Sequence, residues 1–194
     1  SIAWLDKGGA LRVGPESTGA EPGPACYDRG GNQPTVTDAN LLGGFLDPGS
    51  FSVAEIRLNR QKASTVLESL ARASGLSLEE AITGVRAVVN ANMLRGIRKA
   101  TVEKGIDTRE CSLIAFGGAG PLHAAELAEA LGIREVLIPP MAGMFSALGI
   151  LLSKARLVFG KSLMVPFDRG AKTVIEKALR AFTSQARVSF KRQG

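Results

Sequence analysis

Sulfur ligands and imidazoles are scarce in this chain, which has only Cys26, Cys111 and one histidine, His123, among its 194 residues. A Cys/His zinc centre cannot be assembled from that set, so no metal ligands are assigned. The cysteines form no Cys-x-x-Cys pair and lie far apart, which argues against a disulfide framework. Reduced, unpaired thiols and a cytoplasmic protein are the expectation. Aromatic residues make up only 5% of the chain, too few for the stacking platform that single-stranded nucleic acid requires. The net charge is +6 and the pI about 9.7. The basic residues are nevertheless interspersed with acids, except for Arg180, Arg187, Lys191 and Arg192 near the end. A solvated basic face, with no nucleic-acid partner, is the expected reading. Long hydrophobic runs are lacking too. The longest, around Met141 to Leu152, is interrupted by Gly143, Ser146 and Gly149 and falls short of the ~18 residues that span a bilayer. No membrane association is expected. The chain opens Ser-Ile-Ala-Trp-Leu-Asp, with no basic segment ahead of an apolar one, so no signal peptide is read. This opening reads as a strand entered in mid-course, and a fragment of a larger protein is expected.

What is present is the composition of a globular domain, 45% hydrophobic and 22% charged. Residues 1–60 are dense in turn signals. Ile2–Leu5 and Leu11–Val13 flank Lys7-Gly8-Gly9, the pattern of a hairpin. Gly14-Pro15 and the Gly/Pro run from Gly19 to Gly31 exclude a regular helix or an inner strand there. A short helical turn begins around Thr37 to Leu41 and stops at Gly43-Gly44. Asp38 and Asn40 belong to it, as helix caps or as a polar cluster at a cleft.

Residues 61–110 read as helical. Ala63, Val66, Leu67, Leu70 and Ala71 recur at helical spacing, with Gly75 as the stop. Ser77 and Glu80 form a capping-box pattern that opens a long helix running to about Lys104. Its stripe is Ile82, Val85, Val89, Met93, Ile97 and Ala100, with Asn92 and Gly96 close to it. Asn92 is either a satisfied buried amide or a cleft residue.

Residues 111–167 carry the core of the fold. Ser112–Phe116 and Glu135–Ile138 read as strands, with a helix from Pro121 to Leu131 between them and Gly132 closing it. A strand-helix-strand unit predicts parallel strands with a right-handed crossover. A further helix is expected over Gly143–Leu152, an extended segment over Arg156–Phe167, and a terminal amphipathic helix in residues 168–194.

Between the first strand and its helix lies Gly117-Gly118-Ala119-Gly120. Glycines there let a ligand approach the backbone, and the first amides of the helix can meet anionic or polar ligand atoms. The turn is not a Walker A loop, because no Gly-Lys-Ser/Thr follows. As a dinucleotide fingerprint it is poor, since His123 stands where the third glycine would be and no acidic residue ends the next strand. A tight turn serving only strand-helix packing is the alternative.

Several motifs occur together: Gly14-Pro15-Glu16-Ser17, Pro22-Gly23-Pro24-Ala25-Cys26-Tyr27, Val36 to Leu41, Asn90-Ala91-Asn92-Met93, Ala115 to Ala124, and Ser146-Ala147-Leu148-Gly149. In this order and spacing they resemble the hydantoinase A/5-oxoprolinase family, including N-methylhydantoinase A, from the first residue to about Phe167. The resemblance implies an α/β protein of the actin-like ATPase fold shared with sugar kinases and heat-shock ATPases. Residues 1–167 would form part of the second lobe and 168–194 a helix leading to a downstream region. It implies ATP and Mg²⁺ as cofactors and a cyclic amide, such as a hydantoin or 5-oxoproline, as substrate. Phosphoryl transfer to the amide oxygen would precede attack by water. Gly117, Gly118, Ala119 and Gly120 would lie against the adenosine; His123, in the first turn of the helix that follows, contacts the adenosine or its surroundings, transfers a proton or packs, and Asp38, Asn40 and Asn92 are possible cleft residues. The phosphate and Mg²⁺ turns would precede Ser1, leaving this chain inactive alone and prone to self-association. A hydantoinase B-type subunit or domain is the implied partner. An ATPase subunit of a ketone carboxylase and a non-catalytic nucleotide-binding subunit remain alternatives.

Overall fold

A computed structural model of the chain describes residues 1–49, 56–154, 156–168 and 170–193. The described residues group into two compact units, Ser1–Leu148 and Gly149–Gly194.

The first unit opens with strands β1 (Ala3–Leu5) and β2 (Leu11–Val13), paired antiparallel with Trp4 opposite Arg12. Asp6 closes the hairpin by accepting from the amides of Gly8 and Ala10 and from Arg12. Helix α1 (Val36–Leu42) follows the Gly/Pro-rich segment and ends at Gly43. Helix α2 (Arg60–Ser74) is capped by the Asn59 side chain and stopped by Gly75 at φ 70°, a left-handed conformation that a Cβ disfavours. Helix α3 (Leu78–Ala100) starts from the expected Ser77/Glu80 capping box. Ala3, Val13, Val36, Ala39, Leu67, Leu70 and Val85 bring the hairpin and these helices onto one apolar core.

Helix α3 ends with its apolar stripe at Ala100, short of the expected end at about Lys104. Thr101 leaves the helical region at φ −122°, ψ −79°, and its hydroxyl donates back to the Ile97 carbonyl at 2.7 Å. A 3₁₀ turn, Val102–Lys104, then carries the chain to Gly105. The competition of a threonine hydroxyl for a helical carbonyl is invisible to hydrophobic periodicity.

Strands β3 (Ser112–Ile114) and β4 (Glu135–Leu137) are parallel, with Leu113 opposite Val136, as the strand-helix-strand pattern predicts. The helix between them is only partly α-helical. Pro121 lies in a 3₁₀ turn, Gly120–His123, and α4 (Ala124–Leu131) begins after it. Ala128, Leu131 and Ile133 pack with Leu94, Ile97, Leu113 and Val136, so α4 and the parallel pair lean on the C-terminal half of α3. Ile114, Leu137 and Ile138 remain about half exposed. Parallel sheets are normally covered on both faces, and this pair leaves apolar surface bare.

A 3₁₀ turn, Ala142–Met144, leads into α5 (Phe145–Leu152), and Phe145 contacts Phe116 with ring centroids 5.3 Å apart. In the second unit α6 (Ala171–Gln193) matches the expected terminal helix, and Phe182 stacks on Phe159. Of the basic residues noted near its end, Lys191 and Arg192 have side chains outside the described residues. Among the described residues no helix is long and apolar enough to cross a membrane.

Candidate functional site

The glycine turn joins β3 to the 3₁₀ turn ahead of α4. Gly117 has φ +89°, which requires glycine, and its amide donates to the Ala142 carbonyl at 2.8 Å. A Cβ placed on Gly117, Gly118 or Gly120 would meet nothing within 4 Å. These glycines therefore do not serve close strand-helix packing within the chain. Open space lies beside the backbone, as a ligand approaching it requires. Among the described residues the amides of Gly118 and Ala119 have no backbone acceptor.

Behind the turn lies a closed ring of polar side chains. His123 Nδ1 is 2.7 Å from Asn90 Oδ1, and His123 Nε2 is 3.4 Å from Asn40 Nδ2. Asn40 Oδ1 accepts from Arg86, whose other guanidinium nitrogen donates to Glu126 at 2.5 Å. Asn90 Nδ2 donates to the second oxygen of Glu126 and closes the ring. Arg86 also donates to the Leu122 carbonyl at 3.2 Å and lies over the Phe45 ring, 3.4 Å from its centroid. Asn40, Arg86, Asn90 and His123 are all buried. Glu126 faces an open cleft of about 700 Å³ shared with Leu42, Phe45 and Ile82, and its side chain is 42% exposed. Burial and the neighbouring Arg86 charge both hold the His123 pKa below its ordinary value, and Glu126 offsets them in part.

The expected site residues thus separate. Asn40 meets His123. Asp38 turns away into the fold as the third residue of α1, accepting from the Thr35 amide, the Thr35 hydroxyl and, at 2.8 Å, the Cys26 amide. Asp38 serves the capping role the sequence offered, and also ties the Cys26 segment to α1. Asn92 donates to the Val13 carbonyl at 3.2 Å and accepts from Arg95, clamping β2 to α3 away from the ring. Its neighbour Asn90 occupies the inward position. Arg86, Asn90 and Glu126 were not singled out from the sequence. Arg86 and Asn90 lie one helical turn apart on α3, so two polar residues facing the core together was the available signal. Among the described residues no group of His, Cys, Asp and Glu is placed to hold a metal ion.

The turn lies at the carboxyl end of a parallel strand, the place where ligands bind in open α/β sheets. The hydantoinase/oxoprolinase family model matches residues 1–158, and the chain belongs to that family. It is 48% identical to caprolactamase subunit alpha of Pseudomonas jessenii, over 80% of this chain and 23% of that relative. It is 40% identical to 5-oxoprolinase 1 of Arabidopsis thaliana, over 73% of the chain and 12% of the relative. The crystal structure of the ATP-dependent caprolactamase from Pseudomonas jessenii superposes with a TM-score of 0.73 at 47% identity, covering 79% of this chain and 22% of that one. A nucleotide-free acetone carboxylase structure gives a TM-score of 0.70 at 30% identity, covering 77% and 21%. The chain spans less than a quarter of the length of these relatives, and about an eighth of the oxoprolinase. The α/β architecture is that of these solved enzymes, in agreement with the actin-like fold expected of the family.

Proposed function

We propose that this chain is part of an ATP-dependent cyclic-amide hydrolase and supplies the adenosine-side wall of its nucleotide cleft. The observation that carries the reading is the glycine turn after β3, whose missing side chains leave open space rather than filling a packing contact. Gly117, Gly118, Ala119 and Gly120 border the adenosine, and His123 and Asn40 stand behind this wall. Bound ATP supplies the phosphoryl group that turns an amide oxygen into a leaving group. The residues of this chain offer backbone amides, keep side-chain bulk out and hold the turn in place, which is the positioning part of such chemistry. Mg²⁺ and the phosphate contacts belong to regions outside residues 1–194. Residues 1–167 belong to the second lobe, and 168–194 lead on from it. The protein works in the cytoplasm with a hydantoinase B-type subunit or domain, a reading supported by the caprolactamase relative being a subunit alpha. The half-exposed Ile114, Leu137 and Ile138 favour self-association of the chain when it is alone.

The similarity to acetone carboxylase favours a second reading, the ATPase subunit of a ketone carboxylase. The higher identity to the caprolactamase subunit weighs for the hydrolase. ADP release by the full-length protein and its partner, measured across hydantoins, lactams and ketones with bicarbonate, separates the two. Stimulation by a hydantoin or lactam is expected. Stimulation by ketone and bicarbonate alone assigns the carboxylase branch, and none by any compound overturns both.

A further inference from the structure

The polar ring has a direction. A guanidinium only donates and a carboxylate only accepts. Arg86 therefore fixes Oδ1 of Asn40 toward itself and leaves the Asn40 amide N–H to face His123 Nε2. Glu126 takes the Asn90 N–H and leaves Oδ1 of Asn90 to face His123 Nδ1. The only histidine form that satisfies both neighbours is neutral, protonated at Nδ1 and bare at Nε2. A proton on Nε2 would oppose the Asn40 N–H. Rotating the Asn40 amide would merely move the clash to Arg86.

The ring is also tied to the glycine turn. Arg86 holds the Leu122 carbonyl, and the Leu122 amide donates to the Ala119 carbonyl at 3.1 Å. His123 is the last residue of the same 3₁₀ turn. The turn is thereby pinned to α1 through Asn40, to α3 through Arg86 and Asn90, and to α4 through Glu126.

We propose that this ring positions the glycine turn for nucleotide, and that it does so only while His123 is neutral with its proton on Nδ1. His123 is a positioning residue, not a catalytic one, because both ring nitrogens are engaged inside the fold. The proposal rests on the adenosine-wall reading. The charged groups facing the imidazole are Arg86 from α3 and Glu126 from α4, and α1 presents only the neutral amide of Asn40. The folded-state pKa lies below the ordinary one, so the ring stays closed at neutral pH. It opens only as the pH falls below the ordinary histidine range.

The Asn40→Asp substitution keeps the shape and supplies an acceptor to both Arg86 and Nε2–H, so the ring closes around an imidazolium. Asn40→Ala opens it at every pH. In ¹⁵N spectra of the chain, where His123 is the only histidine, Nδ1 alone should be protonated at pH 7, and both nitrogens in Asn40→Asp. In calorimetry on the full-length protein, ATP affinity should fall about tenfold as His123 titrates, the size expected from losing one link of a buried network. Asn40→Asp should abolish that acid loss, and Asn40→Ala should bind about tenfold more weakly throughout. A proton on Nε2 at pH 7 in the unaltered chain overturns the proposal. So does a folded Asn40→Ala with unchanged affinity. If Asn40→Ala does not fold, persistence of the acid loss in Asn40→Asp refutes it. Weakened binding in Gly118→Val with none in Asn40→Ala refutes the ring alone. Unchanged binding in both refutes the adenosine wall.

Discussion

Cys26 and Cys111 have opposite surroundings. Cys26 is fully buried beside Asp38, and burial followed by the carboxylate's charge pushes its thiol far above the ordinary range. Cys111 is half-buried, at the end of the 3₁₀ turn Thr108–Glu110, with its sulfur 3.5 Å from the Asp107 carbonyl. Thiolate is the reactive form, so a maleimide at pH 7 should modify Cys111 and spare Cys26 until the chain is unfolded. Mass mapping of the native and denatured chain checks this; equal labelling of both cysteines in the native state would contradict it. His123 and Asn40 were both visible as unusual polar residues, but 83 positions separate them. No spacing rule connects such a pair, because only the packing of α1 and of α4 on α3 brings them together. Asp38 was legible as a cap because its partner Thr35 is three residues away. Asn92 takes the satisfied-amide alternative through the Val13 carbonyl, while Asn90, half a helical turn away, faces inward; the apolar stripe alone does not resolve which of the two does so.

At the scale of elements, capping chemistry located the helices well. Ser77 with Glu80, and the left-handed Gly75 and Gly132, lie where their side chains or lack of them demand. The ends of α3 and α4 were less legible, because Thr101 and the Gly120–His123 turn depart through local hydrogen bonds that hydrophobic spacing does not encode. Gly96 offers a direct test of α3. It lies inside the helix, and a Cβ there would meet nothing within 4 Å. Gly96→Ala should therefore stabilise the chain by about 0.5–1 kcal/mol, by lowering the backbone entropy lost on folding. Urea denaturation with an unchanged m-value measures it. A loss of stability would show that the surface beside Gly96 is occupied.

Across the first unit, the apolar core of the hairpin, α1, α2 and α3 is the frame on which the glycine turn rests. The parallel pair β3–β4 stands on that frame through α4, and the glycine turn at the end of β3 is held from behind by the polar ring. The central claim is that this turn binds nucleotide through its backbone. Gly118 tests it best, because its φ, unlike that of Gly117, does not require glycine, and a side chain there meets open space in the chain. Titration calorimetry of ATP into the full-length protein and its Gly118→Val variant, with melting temperatures recorded alongside, is the most direct measurement. The account predicts an unchanged melting temperature and ATP affinity weakened by at least about tenfold, since a branched side chain would fill the space of the adenosine. Equal affinity in the two proteins would contradict it.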